Sequence, residues 1–309
     1  MQQRAIGPLE VGVVGLGCNN FGGRLDAAGT TAVVGAAVDH GITLFDTADV
    51  YGDGLSEEYL GAALGPRRDE VVIATKFGME MPDGSGASPT WIATAVENSL
   101  RRLGTDHIDL YQLHRPDPET PIADTLGALH RLVEAGTVRA VGVSNVDVAG
   151  IEEGLSASEA AGLASWVSVQ NQYSVLNRGP EEDGVLEACE RHGIGFLPFF
   201  PLESGVLTGK YRAGEPPPEG SRLAGFGPDR SARFLNDESL AAAERLERFA
   251  ADHGHALVDL AFSYLLAQGV VSSVIAGATS PDQVASNVAA ASWAMSATEV
   301  AEARRLAAG

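Results

Sequence analysis

The sequence predicts an α/β fold, a single (β/α)8 barrel spanning residues 1–309 with an N-terminal β-hairpin. Short β-branched runs alternate with longer Ala/Leu/Glu segments, the pattern of βα units on a parallel sheet. Most of the short runs are almost continuously apolar, as strands covered on both faces must be. The repeat recurs about every 30 residues and eight times, the number and size that close a barrel. An open doubly wound sheet is the alternative.

Taken in order, RAIGPLEVG reads as a hairpin turning at Gly7–Pro8, followed by a first barrel strand near 13–17. Further strands are expected at GITLFD (41–46), EVVIATK (70–76), HIDLYQLH (107–114), VRAVGVSN (138–145), SWVSVQ (165–170), IGFLPFF (194–200) and VSSVIAG (271–277). Amphipathic helical segments fall at 30–40, 56–64, 89–103, 121–135, 147–160, 180–192, 238–252, 255–267 and 281–292. Two Gly/Pro-rich stretches, 77–89 and 211–234, follow strands and are candidate lids or substrate loops, since loops on that side of a barrel surround its active site.

Composition narrows the functional classes. With 21 basic and 41 acidic residues the net charge is −20, and no basic cluster exceeds a pair, which disfavours a nucleic-acid partner. The stretch 256–278 is apolar but carries Asp259, Gln268 and Gly269, so a buried helix and strand explain it better than a membrane span. The N-terminus lacks a signal-peptide pattern, and two cysteines, Cys18 and Cys189, fit a reducing cytoplasm. Two of the 21 basic residues are lysines, Lys76 and Lys210. Where arginine is so heavily preferred, a retained lysine suggests a need for a compact charge or a labile proton.

The apolar runs repeatedly end in polar groups: Asp46, Lys76, His114, Ser144 with Asn145, and Gln170. In a barrel these strand ends converge on one mouth. A mouth holding Asp46, Tyr51, Lys76 and His114 makes a proton donor for a carbonyl becoming an alkoxide, because an ammonium near a phenol lowers the phenol's pKa. Asp46 would orient Lys76 while His114 donates to the substrate oxygen. These groups offer no activated serine or thiol and too few ligands for a metal. A hydride would then come from a bound cofactor. Gly15–Leu16–Gly17–Cys18–Asn19–Asn20 lacks the third glycine of a Rossmann fingerprint.

On these residues the chain resembles the aldo-keto reductases along essentially its whole length. FDTADVYGDGLSEEYLG (45–61) is similar to the family's first signature, with its tetrad aspartate at Asp46 and tyrosine at Tyr51. VVIATKF would supply the lysine at Lys76 and IDLYQLHRPD the histidine at His114. VRAVGVSN resembles the segment whose Ser144 and Asn145, with Gln170, hold the nicotinamide carboxamide. FFPLESGVLTGKY (199–211) resembles the family's cofactor segment, carrying over Phe199, Pro201, Leu202, Gly205 and Lys210, the last facing the pyrophosphate. Phe199 stands where the family has a tyrosine and Phe200 replaces a serine. VIAGATSPDQVASN (274–287) resembles the adenosine segment, carrying over Gly277, Thr279, Gln283 and Asn287.

The resemblance implies NADPH-dependent reduction of a small-molecule aldehyde or ketone. Some branches surround the 2′-phosphate with a lysine and an arginine, positions that are Gly277 and Gln283 here, while a glutamate is replaced by Ser286; Arg222 is a candidate to assist. NADPH is favoured, with NADH the alternative cofactor. Asn19, Asn20 and Phe21 are expected to line the substrate pocket, and the other histidines and the tryptophans to be structural or solvated. Two other readings of the same residues are a Schiff-base barrel lyase using Lys76 and a non-catalytic subunit that senses nicotinamide nucleotides.

Overall fold

In the computed structural model, which describes residues 1–309 apart from the side chain of Arg230, the hairpin is β1 (Gln3–Ile6) and β2 (Leu9–Gly12), turning at Gly7 with φ +52°. Eight parallel strands follow, alternating with helices: β3 (Val14–Gly17), α1 (Ala27–Asp39), β4 (Leu44–Asp46), α2 (Leu55–Leu64), β5 (Val72–Phe77), α3 (Pro89–Leu103) and β6 (Ile108–Leu113). The second half continues through α4 (Ile122–Glu134), β7 (Val138–Ser144), α5 (Val148–Ala161), β8 (Trp166–Gln172), α6 (Gly179–Glu182), α7 (Val185–His192) and β9 (Gly195–Phe199). The chain ends with α8 (Pro228–Ala232), α9 (Asp237–Asp252), α10 (Leu257–Leu266), β10 (Val274–Gly277), α11 (Pro281–Ala290) and α12 (Ala297–Ala308).

Strand order is β10-β3-β4-β5-β6-β7-β8-β9, all parallel, and β9 meets the segment leading into β10 through a parallel bridge between Phe196 and Val271. This is the expected (β/α)8 barrel. The apolar runs divide by face. Leu44, Ala74, Leu110, Ala140, Leu197 and Ile275 point inward, where Ile6, Leu9 and Val11 of the hairpin join them and plug the N-terminal end. The opposite faces, among them Phe45, Ile73, Tyr111, Val141, Val169 and Phe196, pack under the helices in the larger core. The hairpin is tied down by Arg4, whose guanidinium donates to the carbonyls of Leu266 at the end of α10 and of Gln268 and Val271 beyond it.

Two local differences from the sequence reading have plain causes. The helix expected over 180–192 is broken, because Gly184 adopts φ +80° between α6 and α7. The segment 77–89 folds back on itself through a Met81–Gly84 bridge and is held by the Asp117 carboxylate, which accepts from the amide of Ala87; it does not line the large cavity at the mouth. The segment 211–234 does reach it, through Gly220, Ser221 and Arg222. Glu181 joins the C-terminal helices to the barrel: Tyr173 and Tyr264 donate to one of its oxygens and Arg304 pairs with the other at 2.8 Å.

Candidate active site

The C-terminal strand ends surround a cavity of about 760 Å³. At its floor β4 ends on Asp46 and β5 presents Lys76 beside it. The Lys76 ammonium, only 1% exposed, donates to Asp46 Oδ1 at 2.7 Å, Asp46 Oδ2 at 2.8 Å and the Thr47 carbonyl at 2.8 Å. Burial opposes its charge, but Asp46 and Tyr51 outweigh that, and its pKa lies above the usual lysine range. Nζ lies 5.4 Å from the centre of the Tyr51 ring. Tyr51 stands edge-on to His114, ring centres 6.0 Å apart. His114 follows β6 directly; burial, then Lys76 and Arg115, push its pKa down to about 3, so it is neutral at neutral pH.

The balance at Tyr51 corrects the sequence expectation. Burial raises the phenol's pKa more than the Lys76 ammonium lowers it, so the net shift is upward. The hydroxyl therefore stays protonated, which suits a proton donor. Cys18, fully buried beside this group, is likewise pushed up by burial and remains an unreactive thiol.

Around the floor the cavity brings together Asn19, Asn20, Ser144, Asn145, Gln170, Phe199, Pro201, Leu202, Gly205, Lys210, Arg222, Gly277, Thr279, Gln283 and Asn287. Phe21 is not among them. Its ring is fully buried in the helix–sheet core, because the turn at Phe21–Leu25 rotates it away from the mouth. Gln170 donates from Nε2 to Asp46 Oδ1 at 2.9 Å, and Ser144 Oγ donates to the Gln170 carbonyl at 2.7 Å. Asn145, at φ +56°, donates to the His114 carbonyl at 2.9 Å, so β6, β7 and β8 are pinned to one another at this edge. Thr279 donates from both its amide and its hydroxyl to Gln283 Oε1, at 2.9 and 3.2 Å.

Sequence reasoning missed Arg24, Ser204, Thr208 and Ser221, all on the cavity wall. Ser204 precedes the recognised Gly205, and a hydroxyl there was a readable signal. Arg24 was not readable, since its place depends on a bond from Nη2 to the Gly220 carbonyl, 196 residues away, at 2.8 Å.

The wall suits a nucleotide with phosphates. In a chain of charge −20 the described residues of this wall include Arg24, Lys210 and Arg222 and, among them, the single acid Asp46, which already faces Lys76. Ser204 Oγ is buried with no hydrogen-bond partner among the described residues, a donor left for a ligand. A side chain at Gly277 would bring its Cβ within 3.1 Å of Asn20 Nδ2 and crowd the cavity.

The profile of the aldo/keto reductase family matches residues 13–308. The chain belongs to the aldo/keto reductase family. Among its relatives, the L-glyceraldehyde 3-phosphate reductase of Escherichia coli is 32% identical over 94% of this chain and 87% of the relative. A probable voltage-gated potassium channel subunit beta of Arabidopsis thaliana is 34% identical over 94% and 91%. In structure this aldo/keto reductase is similar to the holo form of AKR11C1 from Bacillus halodurans, with a TM-score of 0.82 and 34% identity, covering 99% of this chain and 96% of that one. It is an NAD(P)H-dependent oxidoreductase of small-molecule carbonyl compounds. Among the described residues no helix is long and apolar enough to cross a membrane.

Two residues before the reductase's Tyr51 lies another buried acid. Asp49 is 1% exposed, and its carboxylate accepts no side-chain hydrogen bond among the described residues. Burial, then the neighbouring Glu57 carboxylate, push its pKa from 3.8 up to about 7. A carboxyl that holds its proton more tightly folded than unfolded contributes stability below about pH 4, lost as pH rises through 7. Asp49→Asn is expected to flatten this decline and to exceed the wild type at pH 8 by about 2–4 kcal/mol, at about 1.36 kcal/mol per pKa unit. Urea unfolding at pH 5 and 8 checks it, and an unchanged pH slope would contradict it.

Proposed function

We propose that this aldo/keto reductase, as one barrel domain over residues 1–309, reduces an aldehyde or ketone with NADPH in the cytoplasm. The observation that carries the reading is the buried Asp46–Lys76 pair beneath Tyr51 and beside a neutral His114, at the floor of a cavity whose wall is cationic. Reduced nicotinamide, when bound, supplies the hydride. Tyr51 is the general acid: its O–H bonds to the carbonyl oxygen and passes its proton to the forming alkoxide. Lys76, held charged by Asp46, offsets the developing phenolate. Neutral His114 positions the carbonyl by donating a hydrogen bond.

For the cofactor, Ser144, Asn145 and Gln170 lie where a carboxamide would be held, and the Gln170–Asp46 bond links that position to the tetrad. Phe199 offers an aromatic face. Pro201, Leu202, Gly205 and Lys210, which line the same cavity, would face the pyrophosphate, and Gly277, Thr279, Gln283, Asn287 and Arg222 the adenosine. The two free cysteines, both buried, fit a reducing cytoplasm.

Thr279 and Gln283 stand at the exposed rim, so NADPH is expected to bind more tightly than NADH, by roughly ten- to a hundredfold. The preference should fall as salt rises, because an exposed phosphate contact is screened. Fluorescence titration with both cofactors at low and high salt checks it, and equal affinities would mark an NADH enzyme. The activity itself is tested by loss of nicotinamide absorbance with each cofactor against aldehydes, ketones and sugars, including glyceraldehyde 3-phosphate.

A second reading, a nucleotide-sensing subunit without turnover, is supported by the similarity to the Arabidopsis thaliana channel subunit. Nucleotide binding without turnover across that panel would favour it. A Schiff-base lyase loses its support, since attack needs a neutral amine and Lys76 is held charged by Asp46 and donates to three acceptors.

A further inference from the structure

The turn after β9 is strained in a way the catalytic floor does not explain. Phe200, Glu203 and Ser204 adopt φ of +54°, +44° and +55°, and Gly205 follows at +99°. Left-handed backbone is costly for residues with a side chain and persists where the surroundings over-determine it. Glycine would be the inexpensive choice at 203, yet the position holds a glutamate that is 7% exposed.

That carboxylate has no cationic partner within salt-bridge distance among the described residues. Instead Ser174 Oγ donates to Oε1 at 2.7 Å, and Gln172 Nε2 lies 3.3 and 3.2 Å from Oε1 and Oε2. Ser174 Oγ also accepts the amides of Leu176 and Asn177, at 3.1 and 2.9 Å, so it is fixed by the turn that leaves β8. Glu203 thus fastens the strained turn after β9 to the end of β8. The turn has room to relax without it, because a polar cavity of about 200 Å³ lies behind, between Gln172, Asn177, Glu203 and Arg233.

On the other side of the turn is the cofactor wall. Ser204 and Gly205 face the large cavity, Ser204 Oγ is buried without a hydrogen-bond partner among the described residues, and Lys210 Nζ lies 3.0 Å from the point a Cβ on Gly205 would occupy. We propose that Glu203 is a positioning residue for the dinucleotide, its buried carboxylate holding the 203–205 turn in the left-handed form that presents Ser204 and Gly205, beside Lys210, to a phosphate. The inference rests on the nicotinamide-dinucleotide reading given above. Glu203 does not touch the cofactor and acts through the turn.

The test compares wild type, Glu203→Ala, Glu203→Gln and Ser174→Ala for NADPH affinity by fluorescence titration, for kcat and KM, and for melting temperature without ligand. Releasing the turn so that its binding form falls to about a tenth of molecules raises the apparent Kd about tenfold. Glu203→Ala and Ser174→Ala are expected to show that loss in Kd and in the KM for NADPH, with kcat at saturating cofactor within about twofold. Glu203→Gln is expected to recover most of it, because the amide oxygen still accepts from Ser174. If Glu203→Ala does not fold, Ser174→Ala carries the same comparison from the other side of the bond. Lower melting temperatures with NADPH affinity unchanged would overturn the proposal and leave Glu203 structural only. Failure of the wild type to bind either nicotinamide dinucleotide would instead overturn the functional reading.

Discussion

Tyr51→Phe is expected to reduce carbonyl turnover by roughly 10²–10⁴-fold, the usual worth of a positioned general acid, while leaving NADPH affinity nearly unchanged. The ring and its edge contact with His114 survive, and only the hydroxyl is lost. Burial raises the Tyr51 pKa above its ordinary value despite Lys76, so the wild-type donor is protonated across the neutral range and the deficit should persist at every pH from about 6 to 8. Steady-state rates at saturating NADPH check it. A variant that keeps more than half of its turnover would remove Tyr51 from the reaction.

Lys76→Met is expected to be as damaging to turnover and to lower stability by about 3–5 kcal/mol, because Asp46 would be left as a buried carboxylate without its cation. Lys76→Arg should come close to it despite keeping the charge. Three acceptors, Asp46 Oδ1, Oδ2 and the Thr47 carbonyl, lie 2.7–2.8 Å from one nitrogen, a cluster that a compact ammonium satisfies and a larger planar guanidinium does not. Turnover and urea unfolding of both variants decide it; a near-normal Lys76→Arg would show that the scarcity of lysine in this chain carried no chemical information.

Most of the fold was legible because a barrel strand, buried on both faces, writes itself as an apolar run, and its turn toward the site as a polar residue at the run's end. That is why Asp46, Lys76, His114, Ser144 and Gln170 could be read from the chain and then met at one mouth. What could not be read depends on tertiary contacts. Arg24 reaches the cavity by bonding Gly220, and Glu203 became meaningful once its neighbours Gln172 and Ser174 were placed. Phe21 was misplaced because its two asparagine neighbours face the cavity while the local turn carries its ring into the core. The Tyr51 shift was misjudged in sign because a sequence names the charged neighbour and hides the depth of burial. The break at Gly184 was within reach, since a glycine in the middle of an expected helix is a poor helix former.

The most direct measurement follows the hydride itself. NADPH carrying deuterium at the transferring C4 position is incubated with the enzyme and an aldehyde that the absorbance panel identifies, and the alcohol is analysed by mass spectrometry. One deuterium on the former carbonyl carbon, formed by the wild type and lost in proportion to rate in Tyr51→Phe, is the result expected of a reductase whose buried Asp46–Lys76 pair supports a tyrosine acid. Alcohol without deuterium, or deuterated alcohol formed equally fast by Tyr51→Phe, would contradict it.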